Sequence, residues 1–296
     1  MKWSKHLKSF ENYLNLELGL SKHSMLAYSK DVNQLAEFYM DSDPIYLDKS
    51  QITTYLYEIA KVLDPKTQAR KLSSIRQFYK YLILNNTIES NPCESIESPK
   101  YSRKIPDTLS TDEIDQLIDA IDYSSEQAYR NRAILETLYG CGLRVSELVE
   151  LRFSNLSFEQ EIIRVQGKGN KDRIIPIAPY TINCIEDYIE IERNQLPIKP
   201  AYADHVFLNR RGAKLTRVMI FTIVKNLGIK INLNKTISPH TFRHSFASHL
   251  LASGADLMAI QQMMGHESIT TTEVYLHIDQ SKVKEILESH HPRGKN

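Results

Sequence analysis

The chain is best understood from the stretch Pro239-His240-Thr241-Phe242-Arg243-His244-Ser245-Phe246-Ala247-Ser248-His249-Leu250-Leu251. His240 and Arg243 are three positions apart, so their side chains share one face of a helix. The phenylalanine and leucine residues fall on a different, apolar face. A helix that starts at proline has free backbone N–H groups that favour an anion. The stretch therefore predicts an anion-binding helix start, although a His and an Arg can also share a face by chance.

Two further segments place a cation beside glycines. Arg144 follows Gly140-Cys141-Gly142-Leu143 and leads into a predicted helix at Val145-Ser146-Glu147-Leu148. Lys168 lies between Gly167 and Gly169, in a turn between two β-branched runs that predict a β-hairpin. Glycines would let a phosphate approach the backbone at Arg144, and a turn lysine could reach into a groove. An ordinary surface arginine and a solvent-facing turn lysine remain the alternatives.

The last candidate residues are His266 and Tyr275. His266 directly follows Gly265, where a helix capped by Asp256 is predicted to end. Thr270 and Glu273 predict a capping box, which would place Tyr275 on a short helix. The chain contains 16 tyrosines, so composition does not single out Tyr275. A tyrosine on such a helix is usually a core or interface residue.

The distribution of helix signals predicts two domains. Residues 1–85 read as a helical bundle, residues 86–107 as a proline-punctuated linker, and residues 108–296 as a second domain that begins at a capping box. In the first domain, a helix that starts at Asp64-Pro65 carries a basic stripe. A solvated face is the ordinary interpretation of this stripe, and contact with a DNA backbone is the alternative. The stripe consists of Lys66, Arg70, Lys71, Arg76 and Lys80.

Composition sets limits on the class of protein. Hydrophobic residues make up 42% and charged residues 25%, as in an ordinary globular protein, and no apolar run approaches the roughly 18 residues of a membrane span. The separated cysteines Cys93, Cys141 and Cys184 predict reduced thiols and a cytoplasmic protein. The net charge of +1 does not by itself suggest nucleic acid. If the protein binds DNA, its positive charge must be concentrated on one face.

Taken in order, these motifs resemble the tyrosine recombinases of the phage integrase family, and within that family the Xer branch. The segment Leu20-Ser21-Lys22-His23-Ser24 with Tyr28 and Asp31 is similar to the N-terminal DNA-clamping domain of the family. The similarity extends over nearly the whole chain. It is carried by Gly142-Leu143-Arg144-Val145-Ser146-Glu147-Leu148, Gly167-Lys168-Gly169, His240-Thr241-Phe242-Arg243-His244, Met264-Gly265-His266 and Tyr275.

The resemblance implies a catalytic set that breaks DNA without a metal or another cofactor. Tyr275 is implied to be the nucleophile, which forms a 3′-phosphotyrosyl link to DNA. Arg144 and Arg243 are implied to hold the phosphate, a task that suits the planar guanidinium fork.

The remaining implied roles concern protons and hydrogen bonds. Lys168 would be the general acid for the leaving 5′ oxygen. His240 would assist proton transfer at the tyrosine, and His266 would donate a hydrogen bond to the phosphate.

The resemblance also implies a fold and partners. The fold would be mainly α with a small β-sheet, a SAM-like helical bundle followed by a catalytic domain, closing as a C-shaped clamp on duplex DNA. The partners would be a double-stranded recombination site, a homo- or hetero-tetramer with a second Xer-type recombinase, and a septal DNA translocase as activator, with no membrane. The implied role is the resolution of chromosome dimers at cell division.

Three alternative functions remain open. An integrase or transposase of a mobile element would use the same chemistry. A zinc hydrolase could use His240 and His244, which have a common ligand spacing, with His266 as a third ligand. Arg243 beside those imidazoles would oppose a cation. A DNA-binding protein without catalysis is the third alternative, and it predicts that no covalent complex forms.

Overall fold

The computed structural model describes residues 2–100, 107–166, 172–265 and 280–294. The chain divides into two compact units, Met1–Lys104 and Ile105–Asn296. Among the helices in the described ranges, none is both long enough and apolar enough to cross a membrane.

The first unit consists of helices. Ser21 caps the second helix by accepting a hydrogen bond from the backbone N–H of Ser24, and Asp64 caps the fourth by accepting one from Thr67. The cap at Asp64 agrees with the helix start predicted from the sequence. The helices are α1 (Lys2–Leu16), α2 (Lys22–Phe38), α3 (Lys49–Ala60) and α4 (Pro65–Leu84), with a 3₁₀ turn at Pro44–Tyr46.

Aromatic side chains fill the core of the first unit. The ring of Phe78 packs edge-on against Phe10, at 5.3 Å between centroids, and stacks with Trp3 at 5.9 Å. The segment after α4 joins this core, because Cys93 is fully buried and its carbonyl oxygen accepts a hydrogen bond from Arg76 Nε at 3.3 Å. Arg76 is therefore a structural residue of this unit.

The basic stripe of α4 is not the fully solvated face that was expected. Lys71 is buried, and its ammonium group pairs with the buried carboxylate of Asp31 on α2 at 3.3 Å. Asp31 also accepts hydrogen bonds from Arg70 and from the Ser74 hydroxyl. A buried carboxylate needs such partners, so Lys71 and Arg70 join α4 to α2.

The second unit combines helices with a three-stranded antiparallel sheet in the order β1-β2-β3. The predicted hairpin is confirmed as β2 and β3, which pair Ile163 with Ile175. The two-residue strand β1 was not anticipated. The strands are β1 (Leu156–Ser157), β2 (Ile162–Gln166) and β3 (Asp172–Pro176). The helices are α5 (Thr111–Asp119), α6 (Ala128–Gly140), α7 (Val145–Val149), α8 (Pro179–Ile191), α9 (Arg217–Lys230), α10 (Pro239–Ala252), α11 (Leu257–Met264) and α12 (Gln280–His290).

The core of the second unit surrounds α6, whose residues from Ala133 to Gly140 are all buried. The terminal helix α12 contributes Ile286 and Leu287 to the same core. Arg293, beyond α12, pairs with the buried carboxylate of Glu136 on α6. The predicted fold class, mainly α with a small sheet, is confirmed.

Candidate active site

Arg144 lies at the start of α7, where the chain turns sharply. Gly142 has φ of +57°, a conformation that favours glycine, and a side chain there would collide with the ring of Phe246. Arg144 is the N-cap residue of α7, and its backbone N–H donates to Glu147 Oε2 at 2.7 Å. Its guanidinium donates to Glu147 Oε1 at 2.9 Å and to the Gly265 carbonyl oxygen at 2.9 Å.

Arg243 reaches the same place from the first turns of α10. Its side chain is only 3% exposed. Nη1 donates to the carbonyl oxygen of Gly142 at 2.6 Å, and Nη2 donates to that of Met264. The guanidinium is therefore fixed between the loop before α7 and the end of α11.

Glu147 lies between the two predicted arginines and a third. Arg173 on β3 donates to Oε1 and Oε2 of Glu147, each at 2.8 Å, in a bidentate pair. Arg243 Nη1 lies 4.0 Å from Glu147 Oε2. Three guanidinium groups thus surround one buried carboxylate, which leaves an excess of positive charge.

Electrostatics keep the Glu147 carboxylate ionised, and Arg243 stays charged despite its burial. Burial raises the pKa of Glu147, but the hydrogen bonds and charges of Arg173 and Arg144 outweigh it, and the pKa lies below its usual value. Burial, followed by the charge of Arg144, lowers the pKa of Arg243 to about 10, where the group is still protonated at neutral pH.

His240 occupies the first turn of α10, directly after Pro239. Its ring stacks on that of His244, with centroids 4.4 Å apart. Packing of protein atoms around the imidazole, followed by the charges of His244 and Arg243, lowers the pKa of His240. The imidazole is thus favoured in its neutral form, which can accept a proton.

The structure places three of the six predicted site residues. Arg144 and Arg243 meet at Glu147, and His240 lies one helical turn before Arg243. Lys168, His266 and Tyr275, with the capping box predicted at Thr270 and Glu273, lie outside the described residues. Within the described ranges there is no cluster of three His, Cys, Asp or Glu side chains suited to a metal.

Two residues at the centre of the site were not singled out from the sequence. The sequence indicates Glu147 only weakly, because its spacing from Arg144 is that of the glutamate in a capping box at the start of a helix. Arg173 is indicated in another way, as a long, positively charged side chain within a strand rich in β-branched residues. Neither pattern predicts that Arg173 and Glu147 contact each other, because the two residues are 26 positions apart in the sequence.

Comparison with known proteins identifies the class to which this fold and site belong. Residues 107–282 match the phage integrase family, and residues 7–86 match the phage integrase N-terminal SAM-like domain. The chain belongs to the phage integrase family and is a site-specific tyrosine recombinase. The resemblance inferred from the sequence is confirmed.

Individual relatives narrow the similarity to the Xer branch. The chain is 36% identical to the tyrosine recombinase XerD of Staphylococcus epidermidis, over 97% of this chain and 99% of the relative. It is 38% identical to the tyrosine recombinase XerD of Oceanobacillus iheyensis, over 97% and 98%. The fold is that of the XerH site-specific recombinase in a post-cleavage complex with a palindromic difH substrate, with a TM-score of 0.72 and 22% identity, covering 94% of this chain and 83% of that one.

Proposed function

We propose that this recombinase cuts and rejoins duplex DNA through a 3′-phosphotyrosyl bond at Tyr275, with Arg144, Arg243, Lys168, His240 and His266 as the other catalytic residues. The observation that carries the proposal is the placement of Arg144 and Arg243 around the single carboxylate of Glu147, at 2.9 and 4.0 Å. Each guanidinium is held by protein acceptors before any substrate is present. Such preorganised cations suit a phosphate whose non-bridging oxygens gain charge during reaction.

In the proposed reaction, each bond broken in DNA is replaced by one to the enzyme. The Tyr275 oxygen attacks the phosphorus, and its proton passes towards His240, whose pKa is lowered so that the neutral imidazole can accept it. The bond to the 5′ oxygen breaks, and Lys168 gives that oxygen a proton. A 5′ hydroxyl of another strand then attacks the phosphotyrosine and releases Tyr275. The phosphoester bond energy is kept throughout, so ATP is not consumed.

A nicked suicide substrate tests the nucleophile. The wild-type protein should become covalently attached to the 3′ phosphate, and Tyr275→Phe should bind DNA without becoming attached. Tyr123→Phe is the matched control, since Tyr123 is a partly exposed tyrosine of the same unit, 46% accessible. Trapping of Tyr275→Phe, or loss of trapping in Tyr123→Phe alone, would contradict the assignment. Formation of the covalent complex in the presence of EDTA would also remove the zinc alternative.

The proposed division of labour follows the two units. Residues 1–85 would clamp the DNA, residues 86–107 would link, and residues 108–296 would catalyse. The family matches at residues 7–86 and 107–282 support these limits. Partial digestion by protease should cut within residues 97–107, beyond the part of the linker that packs on the first core at Cys93, before it cuts either domain. Faster cutting inside the catalytic domain would contradict this division.

The proposed biological role is the resolution of chromosome dimers in the cytoplasm, by a tetramer with a second Xer-type recombinase and with activation by a septal DNA translocase. Similarity along 97% of the chain to proteins named XerD supports this role. Chromatin immunoprecipitation with sequencing should give one sharp peak near the replication terminus. Peaks confined to mobile elements would instead support an integrase with the same chemistry.

A further inference from the structure

We propose that Arg173 is a positioning residue that joins the strand after the Lys168 turn to the two arginines of the phosphate site. The inference rests on the proposed function, and it concerns a residue that does not itself touch the reacting phosphate. It is drawn from the contacts of one guanidinium with two separate helices, α7 and α11, and from the place of Arg173 on β3.

The first contact is with α7. Arg173 uses two nitrogens to hold both oxygens of Glu147, each at 2.8 Å. The same carboxylate accepts hydrogen bonds from the backbone and the guanidinium of Arg144. Because Glu147 is shared, the position of Arg144 depends on Arg173 through one rigid, buried carboxylate.

The second contact is with the end of α11. Arg173 Nε donates to the Met263 carbonyl oxygen at 2.9 Å. A side chain at Gly265 would come within 3.0 Å of Arg173 Cδ, so the arginine packs directly against this glycine. Arg144 binds the carbonyl oxygen of Gly265, and Arg243 binds that of Met264. Three arginines thus hold the three successive carbonyl groups that directly precede His266.

The third connection is through the backbone of β3. Arg173 is the second residue of β3 and pairs with Val165 on β2. Lys168 lies between these two strands in the sequence. β3 therefore follows, in sequence, the turn in which the general acid is proposed to lie, and the guanidinium of Arg173 fixes the position of β3 against α7 and α11.

Charge alone would not perform this role. The three hydrogen bonds to Met263 and Glu147 use Nε, Nη1 and Nη2 of one planar group, which a lysine cannot reproduce, because its single ammonium nitrogen has no such fork. Arg173 is also largely buried, with 11% of its side chain exposed. Water therefore cannot replace the hydrogen bonds that a substituted side chain fails to make. Arg173→Lys therefore separates geometry from charge.

The experiment measures covalent trapping on the nicked substrate, DNA affinity and thermal unfolding for Arg173→Lys, with Arg164→Lys as the matched control. Arg164 is an exposed arginine on the neighbouring strand β2. We expect Arg173→Lys to slow trapping by about 10- to 100-fold, as expected of a small displacement of catalytic groups, with DNA affinity and the fraction folded at assay temperature unchanged. Arg164→Lys should trap at the wild-type rate.

A double variant makes the test specific to Glu147. Since the two residues share the Arg173–Glu147 pair, Arg173→Lys combined with Glu147→Gln should lose clearly less activity than the product of the two single losses. Wild-type trapping rates in Arg173→Lys, or losses that multiply in the double variant, would overturn the inference. Failure of the wild-type protein to trap through Tyr275 would instead overturn the proposed function, so the two failures are distinguishable.

Discussion

Arg243 donates a hydrogen bond to the carbonyl oxygen of Gly142 at 2.6 Å, which fixes α10 to the loop that precedes Arg144. The two residues come from segments 101 positions apart. A guanidinium held by backbone carbonyl groups needs little rearrangement when a phosphate arrives, which is the condition for effective electrostatic catalysis. The site is thus organised by the protein itself.

Lysine at either clamp position should be a poor substitute for arginine. We expect Arg144→Lys and Arg243→Lys each to reduce the rate of covalent trapping by about 10²-fold or more, comparable with the loss of one preorganised donor. The reason is that a lysine can hold a protein acceptor or the phosphate, whereas the arginine fork can hold both. The measurement is single-turnover trapping on the nicked substrate. Arg152→Lys, at an exposed arginine, is the control and should be fully active.

Substitution of Gly142 should destabilise the catalytic unit for two reasons, backbone strain and a steric clash. Its φ is +57°, and an added Cβ would lie 2.5 Å from Phe246 Cδ1. Gly254→Ala is the control, since its φ is +88° but the nearest described atom, His290 Cε1, is 4.0 Å away. We expect Gly254→Ala to lower the unfolding free energy of the catalytic unit by about 1–2 kcal/mol from backbone strain alone.

Gly142→Ala should lower it further, by about 1–3 kcal/mol more, because the Phe246 ring must move out of a packed core. Urea unfolding followed by circular dichroism provides both values. Equal losses in the two variants would show that the ring makes room without strain.

Local features of the fold could be predicted from the sequence, because their causes lie within one turn of chain. Asp64 and Asp256 each accept a backbone N–H at the helix starts predicted there, and Ser110 forms the capping box predicted at the start of the second domain. The burial of Lys71 could not be predicted in the same way. Its partner Asp31 is 40 positions away, and nothing in the local pattern of α4 indicates that one lysine of the stripe is paired.

The same distinction between local and long-range causes applies to the residues of the active site. Arg144, His240 and Arg243 stood out because glycine or proline beside them marks a helix start, and the resemblance gave them roles. Arg173 and Glu147 join these segments over 26 positions, so their contact depends on how β3 packs against α7. A sequence pattern shows which residues could bind phosphate, whereas the residues that hold them in place emerge only from the tertiary structure.

The segment after α12 should contribute strongly to the stability of the catalytic unit. Arg293 pairs with Glu136 at 2.9 Å and with Asp115 at 2.6 Å, and Glu136 is fully buried. Removing one partner leaves a buried charge uncompensated, so we expect Arg293→Met to lower the unfolding free energy by about 3–5 kcal/mol. The double variant Arg293→Met/Glu136→Gln should recover part of the loss, since the buried group is then neutral. A double variant less stable than Arg293→Met would contradict a buried ion pair.

His291 should make the catalytic unit sensitive to acid. It is fully buried, with its ring 4.6 Å from that of Tyr139 and 5.1 Å from that of Phe246. Burial, followed by the charges of His249 and Arg293, lowers its pKa to about 3. In the unfolded chain a histidine has a pKa of about 6.5, so between those values the unfolded state binds one more proton than the folded state. The unfolding free energy therefore falls as pH falls, by up to about 1.4 kcal/mol per pH unit.

His291→Asn isolates this contribution, because the Asn side-chain oxygen can replace Nδ1 as acceptor for the Arg293 backbone N–H. The variant should be less stable than wild type near pH 8, where the smaller side chain packs poorly between the two rings. Its stability should then fall by about 2 kcal/mol less than that of wild type between about pH 6.5 and 5, since no buried imidazole has to stay neutral. Parallel pH profiles for His291→Asn and wild type would mean that His291 is protonated in the folded state, against the enclosure by Tyr139 and Phe246.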